Sequence, residues 1–250
     1  METTATTCWG DLDNALSAGL DRVLLYGQPG TGKTYYCLNR HLATPSNPMR
    51  RAYRLLCSND MTKGDIEGMW KPNAERWEFA ESVCLTAWRS GGRLILDELD
   101  QAGGDALTGL LAIVDSDGST VMNHPETGEE IRPQGGYQVI ATTNAMKLSD
   151  LPPALLDRFP VRININTPNP DALALIEDEG LRSIAKAWIS DSSYQVSLRT
   201  FFTFTKARQT LDVETAARLV FPRHHRAIVE AVTVSAIVSS ATQTREGALS

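Results

Sequence analysis

One segment of the chain has the residue types and spacing of a phosphate-binding loop. Residues 27–34 read Gly-Gln-Pro-Gly-Thr-Gly-Lys-Thr and follow the apolar run Val23–Tyr26, which is typical of a strand. In such a loop the glycines allow backbone N–H groups to surround a β-phosphate, while Lys33 reaches the β and γ oxygens and the Thr34 hydroxyl binds Mg²⁺. A glycine-rich turn without a ligand is the alternative, which the strand-loop-helix context disfavours. The predicted nucleotide-binding residues are Gly27, Pro29, Gly30, Thr31, Gly32, Lys33 and Thr34.

A second apolar run, Arg93–Glu98, ends in two acidic residues. Carboxylates at the carboxyl end of a parallel strand lie where ligands bind in open α/β sheets. There Asp97 can hold the hydration shell of Mg²⁺, and Glu98 can polarise a water molecule for in-line attack on a γ-phosphate. The alternative is that Glu98 and Asp100 only cap the helix that follows. Because a phosphate-binding loop lies upstream, the two acids predict nucleotide hydrolysis.

Three further polar residues lie at the ends of predicted elements. Asn144 follows an apolar strand, and its amide can hydrogen-bond the attacking water or the γ-phosphate, although an asparagine taken alone would be an ordinary turn residue. Residues 151–159 are typical of a short helix that begins at two prolines, with Arg158 at its end. Arg199 lies at the start of a helix in the C-terminal part of the chain.

The elements that must position these residues alternate between strands and helices. This alternation predicts an α/β fold with a parallel sheet that helices cover on both faces. After residue 167 the pattern becomes helical, so we expect a nucleotide-binding core at 1–166, a small helical lid domain at 167–242 and a flexible tail at 243–250. The predicted strands are Val23–Tyr26, Tyr53–Cys57, Arg93–Leu96, Tyr137–Thr142 and Val161–Ile165.

Composition narrows the classes of partner. The chain has 24 Lys and Arg residues against 30 Asp and Glu residues, a net charge of −6, which does not resemble the basic surface of a nucleic-acid-binding protein. One basic cluster, Arg50, Arg51 and Arg54, is expected to be a solvated loop or a contact between subunits. No apolar run is long enough to cross a membrane, and the first residues lack a signal peptide, so we expect a cytoplasmic protein without membrane insertion.

Taken together, these motifs resemble those of AAA+ ATPases over nearly the whole chain. The matching positions are Walker A at 27–34, Walker B at 93–98, sensor 1 at Asn144, an arginine finger at Arg158 and sensor 2 at Arg199. Within that superfamily, segments 125–131 and 137–144 are similar to the MoxR group, which includes the CbbQ/NorQ activators, the gas-vesicle protein GvpN and the CobS chelatase subunit. The predicted catalytic residues are Lys33, Glu98, Asn144 and Arg158; Arg199 completes the predicted nucleotide-binding set, and Thr34 and Asp97 are the predicted metal ligands.

The resemblance implies an assembly as well as a chemistry. It implies that the cofactors are ATP and Mg²⁺, that Arg158 reaches the nucleotide of a neighbouring subunit, and therefore that the chain forms a ring, as a hexamer. It also implies that Arg199 contacts the γ-phosphate from the lid. The alternatives are a surface salt bridge of Arg158 with Asp157 or Asp150, and an inter-domain salt bridge of Arg199. The implied client is a protein with a von Willebrand factor A domain or a metalloenzyme complex.

Two insertions are expected to form β-hairpins, at residues 115–136 and 64–79, because turn residues lie within them. Trp70 and Trp77 in the second hairpin form either a cross-strand packing pair or a grip for a substrate. We therefore predict a ring-forming ATPase that remodels or activates a partner protein. The alternatives are a nucleic-acid motor, which would need basic hairpin tips, and a nucleotide-dependent assembly switch with little turnover.

Overall fold

The computed structural model describes residues 7–40, 50–103, 106–115 and 121–235. The described residues form two compact units. The first contains the residues up to Gln28 together with Lys33–Ile165, and the second contains Pro29–Gly32 together with the residues from Asn166 onward. The middle of the predicted phosphate-binding loop thus groups with the C-terminal unit. The predicted tail at 243–250 lies outside the described residues.

The elements follow one another in the order expected of an α/β core and a helical region. The first unit contains α1 (Cys8–Ser17), β1 (Arg22–Tyr26), α2 (Lys33–Asn39), β2 (Ala52–Leu56), α3 (Lys63–Glu67), β3 (Gly68–Asn73), β4 (Arg76–Glu81), α4 (Val83–Ser90), β5 (Arg93–Asp97), α5 (Ala106–Val114), β6 (Met122–Asn123), β7 (Glu130–Ile131), β8 (Gln138–Thr142), α6 (Pro153–Arg158) and β9 (Val161–Asn164). The second unit contains α7 (Pro170–Ala174), α8 (Glu179–Ser190), α9 (Leu198–Ala207), α10 (Val213–Val220) and α11 (225–235). Short 3₁₀ helices lie at Leu99–Gln101, Leu148–Asp150 and Ser192–Tyr194.

The first unit is built on a five-stranded sheet in the order β2-β5-β8-β1-β9, in which every neighbouring pair is parallel. The five predicted strands are confirmed, and each observed strand end lies within one residue of the predicted end. In the register, Leu25 of β1 lies opposite Thr142 of β8, and Leu96 of β5 lies opposite Ala141 of β8. The carboxyl ends of β1, β8 and β5 therefore meet at one edge of the sheet, which is where the predicted site residues follow.

Both faces of this sheet are buried, which confirms the predicted α/β fold class. On β5, Leu94 and Leu96 pack into one apolar cluster with Trp88 of α4, whereas Ile95 points to the opposite cluster with Trp9 of α1. Fully burying a side chain of this size contributes roughly 1.5–3 kcal/mol. A strand that is apolar on both faces, such as β5, is characteristic of a parallel sheet covered by helices.

Two antiparallel hairpins interrupt the α/β alternation. β3 pairs with β4, which confirms a hairpin in the second predicted insertion; its strands span 68–81, however, and residues 64–67 belong to α3 instead. β6 pairs with β7 inside the predicted insertion at 115–136, of which 116–120 lie outside the described residues. Both insertions therefore contain hairpins, and the described parts of both belong to the first unit.

The register of the β3–β4 hairpin decides how its tryptophans pack. Trp70 lies opposite Phe79 and packs edge-to-face on it with 5.7 Å between ring centroids, while Trp77 lies opposite Pro72. Trp70 and Trp77 are therefore diagonal neighbours across the hairpin, and the alternative of a directly opposite cross-strand pair is wrong. Since alternate residues share a face, both tryptophans lie on the same face of the hairpin, where they are 50% and 66% exposed.

One histidine links the two hairpins. Nε2 of His124, next to β6, lies 3.1 Å from Oε1 of Glu81 at the end of β4, and its ring packs edge-to-face on Phe79 at 5.4 Å. Nδ1 of His124 accepts the backbone N–H groups of Glu126 and Thr127 at 3.2 and 3.3 Å. These contacts fix the position of the β6–β7 turn relative to the β3–β4 hairpin.

The second unit has an apolar core of its own, and its aromatic side chains dominate it. Trp188 of α8 stacks on Tyr194 with 4.8 Å between ring centroids and also packs against Phe201 of α9 and Phe221. Helices α7 to α10 begin at side chains that accept backbone N–H groups, as helix N-caps do, among them Ser197 at the start of α9. None of the described helices in either unit is long and apolar enough to cross a membrane.

Candidate nucleotide-binding site

Lys33 of the phosphate-binding loop lies at the first position of α2, which follows β1 after the loop residues 27–32. Its ammonium group donates hydrogen bonds to the carbonyl oxygens of Gly27 and Gln28 at 2.8 and 2.7 Å, and to Oδ1 of Asn144 at 3.3 Å. Burial lowers the pKa of Lys33 to about 8. Lys33 and Asn144, which are 111 positions apart in the chain, are thus brought into contact at the edge of the sheet.

A hydroxyl group and a carboxylate meet beside this lysine. Oγ1 of Thr34 donates to Oδ1 of Asp97 at 2.6 Å, and Oγ1 of Thr142 donates to the same oxygen at 2.5 Å. Burial alone would raise the pKa of Asp97, but hydrogen bonds from Thr142, Thr34 and Arg54 lower it below its usual value, so the carboxylate stays ionised. Hydroxyl and carboxylate oxygens are hard ligands of the kind that Mg²⁺ prefers, so the donor set of Thr34 and Asp97 fits this ion.

The position of Arg54 corrects the sequence interpretation. Arg54 belongs both to the predicted strand Tyr53–Cys57 and to a basic cluster that we expected to be a solvated loop or a subunit contact. It lies within β2, the neighbour of β5, and donates through Nε to Oδ2 of Asp97 at 2.9 Å, a contact that was not expected. Nη2 of Arg54 also donates a hydrogen bond to Oδ2 of Asp97. Arg50, from the same basic cluster, donates to the backbone carbonyl of Gly91 at 3.1 Å.

The backbone of Glu98 adopts the left-handed conformation, with φ 59° and ψ 49°, which is uncommon for a residue other than glycine. Its carboxylate is exposed, and its side chain makes no capping hydrogen bond to the 3₁₀ helix Leu99–Gln101. Glu98 occupies the N-cap position of this 3₁₀ helix, but its side chain does not cap the helix through a hydrogen bond. Unusual backbone conformations of this kind concentrate at functional sites, where the surrounding structure holds a side chain in place.

Asp100 connects the Glu98 segment to the segment that carries Asn144. Its Oδ1 accepts the hydroxyl of Thr143 at 2.7 Å and the backbone N–H of Asn144 at 3.4 Å. Burial alone would raise the pKa of Asp100, but these hydrogen bonds lower it below its usual value. Asp100 therefore links the segments that follow β5 and β8 through hydrogen bonds, a contact beyond the helix-capping role considered from the sequence.

Residues Pro29–Gly32 of the loop contact the start of α9 within the second unit. A Cβ atom on Gly30 would lie 2.1 Å from Cβ of Ser197, and the N–H of Leu198 donates to the carbonyl of Gly30 at 3.1 Å. Only glycine fits here, because Gly30 also has a φ of +79°. Arg199 follows directly in the first turn of α9, where it is exposed and makes no ion pair within the described part of the chain.

Arg158 lies at the end of α6 and does not join the cluster around Lys33. Its guanidinium lies 3.7 Å from Asp115 and 3.8 Å from Asp157, so its contact with Asp157 matches part of the salt-bridge alternative, whereas Asp150 is not a partner. Its Nε atom is buried and has no hydrogen-bond partner among the residues that the structure covers. Nη1 of Arg158 donates to the carbonyl of Ala154 within α6 at 3.3 Å. Both ion pairs are longer than ordinary hydrogen bonds.

The parallel sheet, the lysine-bearing loop after β1 and the acid at the end of β5 define a P-loop nucleoside triphosphatase. The sequence model described as AAA domain (dynein-related subfamily) matches residues 22–159, and the chain belongs to this family. The chain is therefore a nucleotide-binding AAA+ ATPase. The matched residues include Lys33, Asp97, Asn144 and Arg158.

Two solved structures are similar to this chain. A candidate ATPase from Cytophaga hutchinsonii is 17% identical, with 90% of this chain and 68% of that chain covered at a TM-score of 0.49. Hsp104 in its closed state with ATPγS and FITC casein is also 17% identical, with 85% of this chain and 44% of that chain covered at a TM-score of 0.53. The second similarity shows a shared fold. Among curated proteins, no sequence matches this chain.

Proposed function

We propose that the chain is a MoxR-type, ring-forming ATPase that uses ATP and Mg²⁺ to remodel or activate a partner protein. The observation that carries the proposal is the convergence of Lys33, Thr34, Asp97 and Asn144 at one edge of the sheet, next to the exposed carboxylate of Glu98. The similarity of segments 125–131 and 137–144 to the MoxR group supports the finer assignment. A non-hydrolysing switch would not need this complete set of polar groups.

In this proposal each residue of the cluster has one role. Lys33 leaves the carbonyl groups of the loop to bind the β- and γ-phosphate oxygens, and Asn144, its neighbour, orients the attacking water. Glu98 accepts the proton of that water as it attacks the γ-phosphorus in line with the leaving oxygen. Mg²⁺, held by Thr34 and Asp97, would neutralise charge on the phosphates.

The ring is proposed from the position of Arg158. This arginine does not join its own subunit's Lys33 cluster, its ion pairs are long, and one of its nitrogens is buried without a partner among the described residues. A neighbouring subunit's nucleotide could offer the phosphate oxygens that a guanidinium binds strongly. We propose that Arg158 acts there and that a hexamer provides the neighbour.

We propose that the C-terminal domain, predicted at residues 167–242, is a lid that responds to the nucleotide. If Arg199 binds the γ-phosphate, Arg199→Ala should lower turnover and remove the difference in protease sensitivity between ATP-bound and ADP-bound protein around residues 166–170. Limited proteolysis followed by mass spectrometry measures this difference. Arg218→Ala, an exposed arginine at the end of α10, is the matched control and should retain it. An unchanged digestion pattern and rate in Arg199→Ala would contradict the assignment.

The hairpins are the proposed contact region for the partner, which we propose to be a protein with a von Willebrand factor A domain or a metalloenzyme complex. The exposed tryptophans of the β3–β4 hairpin offer apolar area, which partner surfaces bind well. The described part of the β6–β7 insertion carries Asp115, Glu126, Glu129 and Glu130 against Arg132, so its charge does not favour a nucleic-acid motor.

A trap experiment tests the partner proposal. Glu98→Gln protein loaded with ATP should retain the partner, and ADP should release it, because slow hydrolysis prolongs the ATP-bound state. Trp77→Ser in that background should reduce retention at least severalfold, whereas Lys71→Ser, on the opposite face of the same hairpin, should not. Retention that is independent of nucleotide, or unaffected by Trp77→Ser, would contradict this part of the proposal.

A further inference from the structure

The acceptor positions of the Asp97 carboxylate are all engaged. Oδ1 accepts the hydroxyl groups of Thr34 and Thr142, and Oδ2 accepts two nitrogens of Arg54, one of them Nε at 2.9 Å. A carboxylate has about four lone-pair positions, so four donors fill it. A water molecule of a bound Mg²⁺ that approaches Asp97 must therefore displace one of these donors.

The structure also indicates which donor is displaced. Thr34 supplies the proposed metal ligand itself, and Thr142 is fixed in the buried strand β8 with 2% exposure. Arg54 has the longest and most flexible side chain of the three, and that side chain is 46% exposed, so it moves into solvent at the lowest cost. Its positive charge adds to the conflict, because a guanidinium and a metal ion on one carboxylate repel each other.

We propose that Arg54 is a built-in competitor of Mg²⁺ for Asp97, and that it lowers the metal affinity of the nucleotide site. This inference rests on the proposed function, which assigns Thr34 and Asp97 to the metal. Arg54 is a positioning residue in this view, since it acts through Asp97. The opposite role, in which Arg54 orients Asp97 and assists metal binding, predicts an effect of opposite sign.

The test is the affinity of Mn²⁺ for the protein bound to ADP, measured by electron paramagnetic resonance, which needs no turnover. Arg54→Met keeps the aliphatic stem and removes the charge, and should tighten Mn²⁺ binding roughly tenfold, as expected for the loss of one partly exposed charged pair. Arg51→Met, an exposed neighbour outside these contacts, should leave the affinity unchanged. Arg54→Lys should lie between wild type and Arg54→Met, because it keeps the charge but not the two-nitrogen contact.

Two outcomes overturn the inference, and they are distinguishable. If Asp97→Asn weakens Mn²⁺ binding while Arg54→Met leaves it unchanged or weakens it, the metal site stands and only the competition is wrong. If Asp97→Asn has no effect on Mn²⁺ affinity, the proposed metal site itself is wrong. Thermal melting of each variant with ADP shows whether it is folded, and Arg54→Lys provides a second test of the competition if Arg54→Met is not.

Discussion

Glu98→Gln protein is expected to bind ATP as wild type does and to hydrolyse it roughly 10²–10⁴ times more slowly, the usual value of a positioned general base. Binding should persist because the Glu98 carboxylate is exposed and makes no capping hydrogen bond. Glutamine keeps the shape of the side chain but cannot accept the proton of the attacking water. Steady-state phosphate release gives the rate, and equilibrium titration with a fluorescent ATP analogue gives the affinity.

Lys33→Ala is the contrasting variant, because it should fail at the binding step. The ammonium group of Lys33 donates to the carbonyls of Gly27 and Gln28, and on nucleotide binding it would donate to phosphate oxygens instead. Its loss therefore removes a favourable interaction with bound ATP and weakens binding. Equal losses of ATP affinity in Lys33→Ala and Glu98→Gln would contradict the assignment of Glu98 to catalysis. Glu75→Gln, in the turn of the β3–β4 hairpin, is the control for removal of an exposed carboxylate and should change neither quantity.

Arg158→Ala protein is expected to bind ATP normally and to hydrolyse little of it. Arginine fingers supplied by a neighbouring molecule contribute on the order of 10³–10⁵ in related phosphoryl-transfer systems, and less where other cations share the charge. The ion pairs of Arg158 with Asp115 and Asp157 are long and partly exposed, so their loss should change stability by only about 0–1 kcal/mol. A low rate in a folded, ATP-binding variant would thus reflect catalysis.

Glu98→Gln subunits should restore ATP hydrolysis to Arg158→Ala subunits when the two variants are mixed. In rings mixed from Arg158→Ala and Glu98→Gln subunits, some interfaces combine an intact Glu98 with an intact Arg158, so activity should appear that neither variant has alone. Subunit exchange is verified separately by energy transfer between labelled chains. Mixed rings that remain inactive, or full activity of Arg158→Ala alone, would show that Arg158 is not the finger or that each subunit completes catalysis by itself.

The sequence was sufficient to predict those parts of the fold that depend on local patterns. The loop at 27–34 and the apolar runs that end at Asp97 and Asn144 are local signals, and the contact between Lys33 and Asn144 follows once parallel strands end at a common edge. The five strands could likewise be predicted because strands buried on both faces are continuously apolar.

What could not be predicted depends on which strand lies beside which. Arg54 contacts Asp97 only because β2 is the neighbour of β5, and this order is not encoded in any local pattern. The hydrogen bond from Thr143 to Asp100 depends in the same way on the pairing of β5 with β8. The hairpin partner of Trp70 depends on the position of the turn, since a shift of one residue exchanges the faces of a strand.

If the ATPase site is completed between subunits, as we propose, turnover must depend on protein concentration. Turnover per subunit at saturating ATP should rise steeply as the protein concentration passes through the range in which mass photometry shows monomers giving way to rings, because each Lys33 cluster then gains a neighbour's Arg158. A turnover per subunit that stays constant while the protein passes from monomer to ring would show that no neighbouring subunit is needed for hydrolysis.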